Sequence, residues 1–118
     1  MTKILLSLET PEALEIVPYL GKFIDGVKIN HILWNEIDLI SEDNKEIFVD
    51  FKLWDTPNTI KTVIEKIIEK GGTMTTISTY NSPEVFDMLQ EYHDKIKLLG
   101  VTYPTSWTAE DQYQICRE

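Results

Sequence analysis

The chain has 118 residues, enough for one domain with a real core but well short of the about 250 residues that an α/β barrel occupies. Its net charge of −9, from 11 basic against 20 acidic residues, has the wrong sign for a nucleic-acid or anionic-membrane surface, which needs clustered Lys and Arg. No apolar run approaches the roughly 20 residues that span a bilayer.

In chain order, residues 4–8 read as a first strand, and the apolar start before Glu9 is too short for a signal peptide. Residues 11–23 predict a helix, with Thr10 as N-cap and Pro11 in its first position. Pro18 should kink that helix or end it early. A second short strand follows at 26–30, a weaker helix at 32–40, and an acidic loop at 41–45. Residues 47–52 form the third strand. The most regular helix spans 57–70, where Ile60, Val63, Ile64, Ile67 and Ile68 make the i, i+3, i+4, i+7, i+8 stripe of a helix lying on a sheet. Gly71-Gly72 supplies its left-handed stop. A fourth strand at 74–78, a helix at 83–92 capped by Ser82, a fifth strand at 96–102 and the start of a fifth helix at 109–116 complete the pattern.

The order βαβαβαβαβα implies parallel strands joined by right-handed crossovers. The expected fold class is therefore α/β, a parallel partial (β/α)-barrel of about five strand–helix units, forming a single domain over residues 1–118. The one cysteine, Cys116, has no intrachain partner and reads as a bystander thiol. A reducing cytoplasm suits it.

Polar residues fall at the carboxyl ends of the predicted strands, where barrels of this type place their active sites. Strand one runs into Glu9, strand two carries Lys28, strand three carries Asp50 and Lys52, and strand five runs into Thr102. Apolar neighbours alternate with them: Leu6 and Leu8, Val27 and Ile29, Val49 and Phe51. With regular alternation, Phe48, Asp50 and Lys52 share one face while Val49 and Phe51 share the other. Charges on such a strand must pair or do chemistry, because burying them alone is costly. Asp-x-Lys by itself also describes an ordinary pair on an exposed strand end, and Lys28 alone a surface lysine. His31 and His93 have no ligand partners at metal-binding spacing and read as surface residues. Trp34, Trp54 and Trp107 read as packing or interface residues.

Asp50-Phe51-Lys52-Leu53-Trp54-Asp55-Thr56-Pro57-Asn58-Thr59 resembles the signature of the orotidine 5′-phosphate decarboxylase family. The likeness extends along nearly the whole chain. Leu6-Ser7-Leu8-Glu9 is similar to the family's first strand, Val27-Lys28-Ile29 to its second, and Val101-Thr102-Tyr103-Pro104-Thr105-Ser106 to its fifth strand and following loop. The resemblance implies cofactor-free decarboxylation of orotidine monophosphate to uridine monophosphate, in a homodimer. It implies an alternating array of Lys28, Asp50, Lys52 and Asp55. Lys52 would donate the proton to C6, and Asp50 would sit against the departing carboxylate. Asp55 and Thr59 would reach into the partner's site, and Glu9, Thr59 and Thr105 would contact substrate.

The chain also departs from that pattern. Glu9 stands where the family has Asp, Asn30 where it has Gly, and Ile77-Ser78-Thr79-Tyr80 where it tends to carry Val-His-Ala. The family's last three strands, its phosphate loop and the arginine that grips the phosphate have no counterpart; Arg117 is the sole arginine. Two other readings follow: an inactive shortened remnant or interaction module of the same fold, and a sugar-phosphate decarboxylase of the same superfamily. The Pro57-Asn58-Thr59 run favours the pyrimidine enzyme over the latter.

Overall fold

The computed structural model describes residues 2–43 and 46–117. Five strands, β1 (Leu5–Ser7), β2 (Gly26–Ile29), β3 (Glu46–Leu53), β4 (Met74–Ser78) and β5 (Lys97–Val101), lie side by side in chain order. Every neighbouring pair is parallel. The crossovers pass through helices α1 (Val17–Leu20), α2 (Ile37–Asp43), α3 (Pro57–Glu69) and α4 (Pro83–Leu89), and α5 (Ala109–Arg117) follows β5. A parallel sheet whose strand order never reverses is the wall of a barrel, since a doubly wound sheet would turn back at a switch point. The fold is a partial (β/α)-barrel.

Strand pleating divides the sheet into two chemically distinct faces. Leu8, Val27, Ile29, Ile47, Val49 and Ile77 are buried in a core with Leu33, Ile37 and Ile40 around α2, Ile60, Ile64 and Ile67 of α3, and Val85 and Leu89 of α4. The apolar stripe predicted for the third helix is this contact, with Val63 and Ile68 packed along its margins. The opposite face carries Ser7, Lys28, Phe48, Met74 and Lys97, in register across all five strands and none of them buried. This is the inner wall of the barrel, and the charges collect there.

Two glycines are demanded by geometry. A Cβ on Gly26 would overlap the Glu46 carbonyl, so only glycine lets β2 and β3 meet at that rung. Gly71 takes φ +95° and ends α3, as the Gly-Gly pair predicts.

The helices before β3 differ most from the sequence-based expectation. Residues 11–23 do not form one kinked helix. A 3-10 segment, Pro11–Glu15, gives way to the single turn of α1, with Pro18 near its start where the missing N–H costs nothing. The segment 32–40 begins with a 3-10 turn, Trp34–Glu36, and α2 then continues through Asp43, so residues 41–43 are helical rather than loop. Ile37 and Ile40 anchor α2 in the core; residues 44 and 45 lie outside the described residues. Thr10 and Ser82 have the extended backbone of N-caps but make no side-chain cap bond. α4 ends at Leu89 and a 3-10 turn carries the chain to Tyr92. There the Tyr92 hydroxyl donates to Glu65 Oε1 at 2.5 Å, tying that turn to α3.

Ile64 sits on α3 with no exposed surface. Ile64→Ala should cost about 2–5 kcal/mol, read from the urea unfolding midpoint at unchanged slope. A shift corresponding to less than about 1 kcal/mol would place Ile64 outside a close-packed core.

Candidate active site

Lys28 stands directly across from Phe48 in the β2–β3 register, and Asp50 lies two residues further toward the strand ends, on the same face. The lysine's long stem covers that offset. Lys28 Nζ lies 3.6 Å from Asp50 Oδ2, and Lys52 Nζ donates to the same oxygen at 3.0 Å. One carboxylate oxygen therefore serves two ammonium groups. The other, Oδ1, accepts the Thr76 hydroxyl at 2.7 Å. The Asp50 side chain is 12% exposed, against 35% for Lys28 and 50% for Lys52, so the anion is sunk beneath its two cations.

The arrangement depends on a break in the sheet. Val49 pairs with Thr75 and Leu53 with Ile77, so Asp50, Phe51 and Lys52 together face the single residue Thr76. A bulge of this kind re-aims side chains at a strand end. Lys52 takes φ +49°, the one non-glycine positive φ among the described residues, a conformation costing of order 1–2 kcal/mol. Regular alternation through Lys52 is thus not what brings it to Asp50. A left-handed residue in a bulge does so, and its N–H donates to Thr76 Oγ1 at 2.8 Å instead of to a strand carbonyl. Phe51 turns to the helix side and meets Trp34 edge to face at 5.3 Å.

Burial pushes the Asp50 carboxyl up, but the hydrogen bonds from Thr76 and Lys52 and the charges of Lys52 and Lys28 outweigh it and hold the group below its ordinary value of 3.8. The carboxylate is the resting form at neutral pH. Among the described residues, no three His, Cys, Asp or Glu side chains gather as a metal site would require; His31 and His93 are exposed.

The other residues marked by the sequence lie around this cluster without joining it. Asp55 is exposed and its Oδ1 accepts from the Thr56 N–H at 2.6 Å. Among the described residues it forms no ion pair with either lysine. Thr59, exposed in the first turn of α3, accepts from the Thr56 hydroxyl at 3.1 Å. Glu9 is exposed two residues past β1, and Thr105 is exposed in the turn after β5. Trp54 is 69% exposed and so contributes no core packing in this chain, whereas Trp34 does pack. Cys116 lies in α5, with its side chain outside the described residues.

Two supporting residues escaped the sequence reading. Thr76 is one. The other is Asn81, whose side chain accepts from the Asp55 N–H at 3.1 Å and donates to the carbonyls of Leu53 and Ser78, each at 2.8 Å. It fastens the β3–α3 loop to the end of β4. A buried amide just past a strand is the signal that marks it. Beside it, Tyr80, Tyr103 and Trp107 form a tilted row of rings, 5.7 and 5.8 Å between centroids, beyond β4 and β5.

Residues 3–117 match the model of the family described as orotidine 5′-phosphate decarboxylase / HUMPS. The chain belongs to that family. A protein named orotidine 5′-phosphate decarboxylase from Aquifex aeolicus is 32% identical, over 90% of this chain and 51% of its own length. One of the same name from Xylella fastidiosa is 29% identical, over 92% of this chain and 48% of its own. The chain thus spans about half the length of these relatives. The crystal structure of orotidine 5′-phosphate decarboxylase from Lactobacillus acidophilus superposes with a TM-score of 0.75 at 22% identity, covering 99% of this chain and 60% of that one. That from Pyrococcus horikoshii gives 0.64 at 20% identity, over 80% and 50%. Both support the barrel fold.

A carboxylate whose folded pKa is depressed adds stability above its unfolded value and loses it as pH falls through the folded one. For Asp50 that loss should occur below its ordinary 3.8. The stability of the wild type relative to Asp50→Asn, measured by urea unfolding at successively lower pH, should therefore decline in that range. Parallel curves for the two proteins would mean that Asp50 is not held by its lysines.

Proposed function

We propose that this segment carries the charge array of an orotidine 5′-phosphate decarboxylase, a lyase that removes CO₂ from orotidine monophosphate to give uridine monophosphate in pyrimidine synthesis, without a cofactor. The observation that carries this reading is the Lys28–Asp50–Lys52 cluster, raised on a bulge at the carboxyl end of β3 and followed by Asp55 and Thr59 of the family signature.

The chemistry asks for what such a cluster supplies. When the bond from C6 to the carboxylate breaks, its electron pair stays on C6, where the ring offers little resonance relief. Fixed charge must stabilise that carbanion in a site that excludes water. Asp50, already anionic, faces the substrate carboxylate and favours its departure, while Lys52 places a cation beside C6 and passes it a proton. The lysine recovers its proton from water after product leaves. Strand ends hold these groups more rigidly than loops would. Lys28 completes the neutralisation of Asp50. Glu9 and Thr105, at the ends of β1 and β5, are assigned to substrate binding. Asp55 and Thr59 are assigned to the partner's site in a homodimer, which agrees with their exposure here and with Asp55 standing apart from the cluster of its own chain. The cytoplasm is the compartment such a metabolic enzyme suits.

A second reading keeps the fold without catalysis, because the chain spans only about half the length of its relatives and its sole arginine, Arg117, stands in no phosphate-binding motif. Decarboxylation of orotidine monophosphate, followed by absorbance, separates the two. The 118-residue chain is expected at or near background. A longer polypeptide that joins it to the carboxy-terminal half of the Aquifex aeolicus relative should turn over readily, and Lys52→Ala in that protein should lower kcat about a hundredfold or more. Normal turnover after Lys52→Ala would overturn the assigned mechanism, and an inactive joined protein that folds would favour the reading without catalysis.

A further inference from the structure

We propose that Thr76 is the positioning residue of the charge array, with one hydroxyl fixing both the Asp50 carboxylate and the left-handed backbone of Lys52. The inference rests on the reading of Asp50 and Lys52 as the reacting groups. Thr76 is 4% exposed and stands alone opposite the three bulged residues. Its Oγ1 accepts from the Lys52 N–H at 2.8 Å and donates to Asp50 Oδ1 at 2.7 Å.

A hydroxyl has one proton to give, so the direction of both bonds is settled. The carboxylate takes the proton, and a lone pair takes the amide. The amide of Lys52 has lost its strand acceptor because the register has shifted past it. Without Thr76 it would be left unmade in a partly buried place, at a residue whose φ is already unfavourable. The neighbouring Thr75 shows the contrast. Its hydroxyl donates to the Val49 carbonyl at 2.7 Å, on the helix side of the sheet, whereas the bonds to the two charged residues are those of Thr76. Thr76 therefore links the conformation of the lysine backbone to the orientation of the carboxylate that its side chain grips. The groups facing that carboxylate are Lys28 from β2, Lys52 from β3 itself and Thr76 from β4.

Valine is nearly isosteric with threonine but lacks the hydroxyl, and serine retains it. The test uses the 118-residue chain, by ¹³C NMR titration of the Asp50 carboxyl and by hydrogen exchange of the Lys52 amide. Thr76→Val should raise the Asp50 titration midpoint and speed Lys52 exchange roughly tenfold or more, and Thr76→Ser should restore both. If the valine variant does not fold, Thr76→Ala is expected to show the same pair of changes. In the joined protein, Thr76→Val should lower kcat about tenfold with KM little altered, again restored by serine. An Asp50 titration and a Lys52 amide unmoved by loss of the hydroxyl, or not restored by serine, would overturn the proposal. Expected NMR changes in a joined protein that folds but has no turnover even as wild type would leave the positioning role standing and remove the decarboxylase reading instead.

Discussion

The carboxylate of Asp50 is the constraint around which this half of the barrel is organised. A largely buried anion is tolerated only when opposite charge and hydrogen bonds replace the water it has lost. Here both oxygens are taken, one by two ammonium groups and the other by a threonine hydroxyl. Three adjacent strands each supply one of those partners, which ties the order and register of β2, β3 and β4 to a single charged atom group. Core packing on the far side of the same strands fixes the sheet against its helices, so the cluster is held from behind by apolar contacts and in front by charge.

The bulge shows how the fold turns strand into site. A regular strand would continue to exchange backbone bonds with β4 through Lys52. Instead the ladder skips, the lysine adopts a left-handed conformation, and the freed amide goes to a side chain. Unfavourable backbone geometry of this kind survives where the surroundings over-determine it, and such places are commonly functional. Asn81 performs the corresponding task one step later, holding the loop that presents Asp55. Polar residues of β4 and its following turn thus act as the fixtures for the charged residues of β3.

Much of this was legible in the chain. Short apolar runs at regular spacing gave all five strands within a residue or two, and the Ile60, Ile64, Ile67 stripe marked α3 because burial against a sheet enforces that period. Lys28, Asp50 and Lys52 stood out because charges interrupted apolar alternation. The helices before β3 were less legible: Pro18 inside an otherwise helical pattern leaves only a short turn stable, and the polar run Ser41, Glu42 and Asp43 looks like loop although the buried Ile37 and Ile40 anchor its helix. The bulge left no mark, since two extra residues between Val49 and Leu53 leave the period-two alternation in phase on either side of them. Thr76 was hidden for a related reason: threonine is an ordinary strand former, and only the register shows that its hydroxyl faces two open bonds.

The claim on which the functional reading turns is that the pyrimidine carboxylate is received at the Lys28–Asp50–Lys52 cluster. Orotidine monophosphate and uridine monophosphate differ only in that carboxylate, so the pair isolates its contribution. NMR titration of the ¹³C-labelled chain with each nucleotide measures it directly, even where binding is weak. Orotidine monophosphate should shift the Cε signals of Lys28 and Lys52 and the Cγ signal of Asp50, and uridine monophosphate should shift them much less. Equal shifts from both nucleotides, or shifts centred away from these three residues, would contradict the assignment of this cluster as the decarboxylation site.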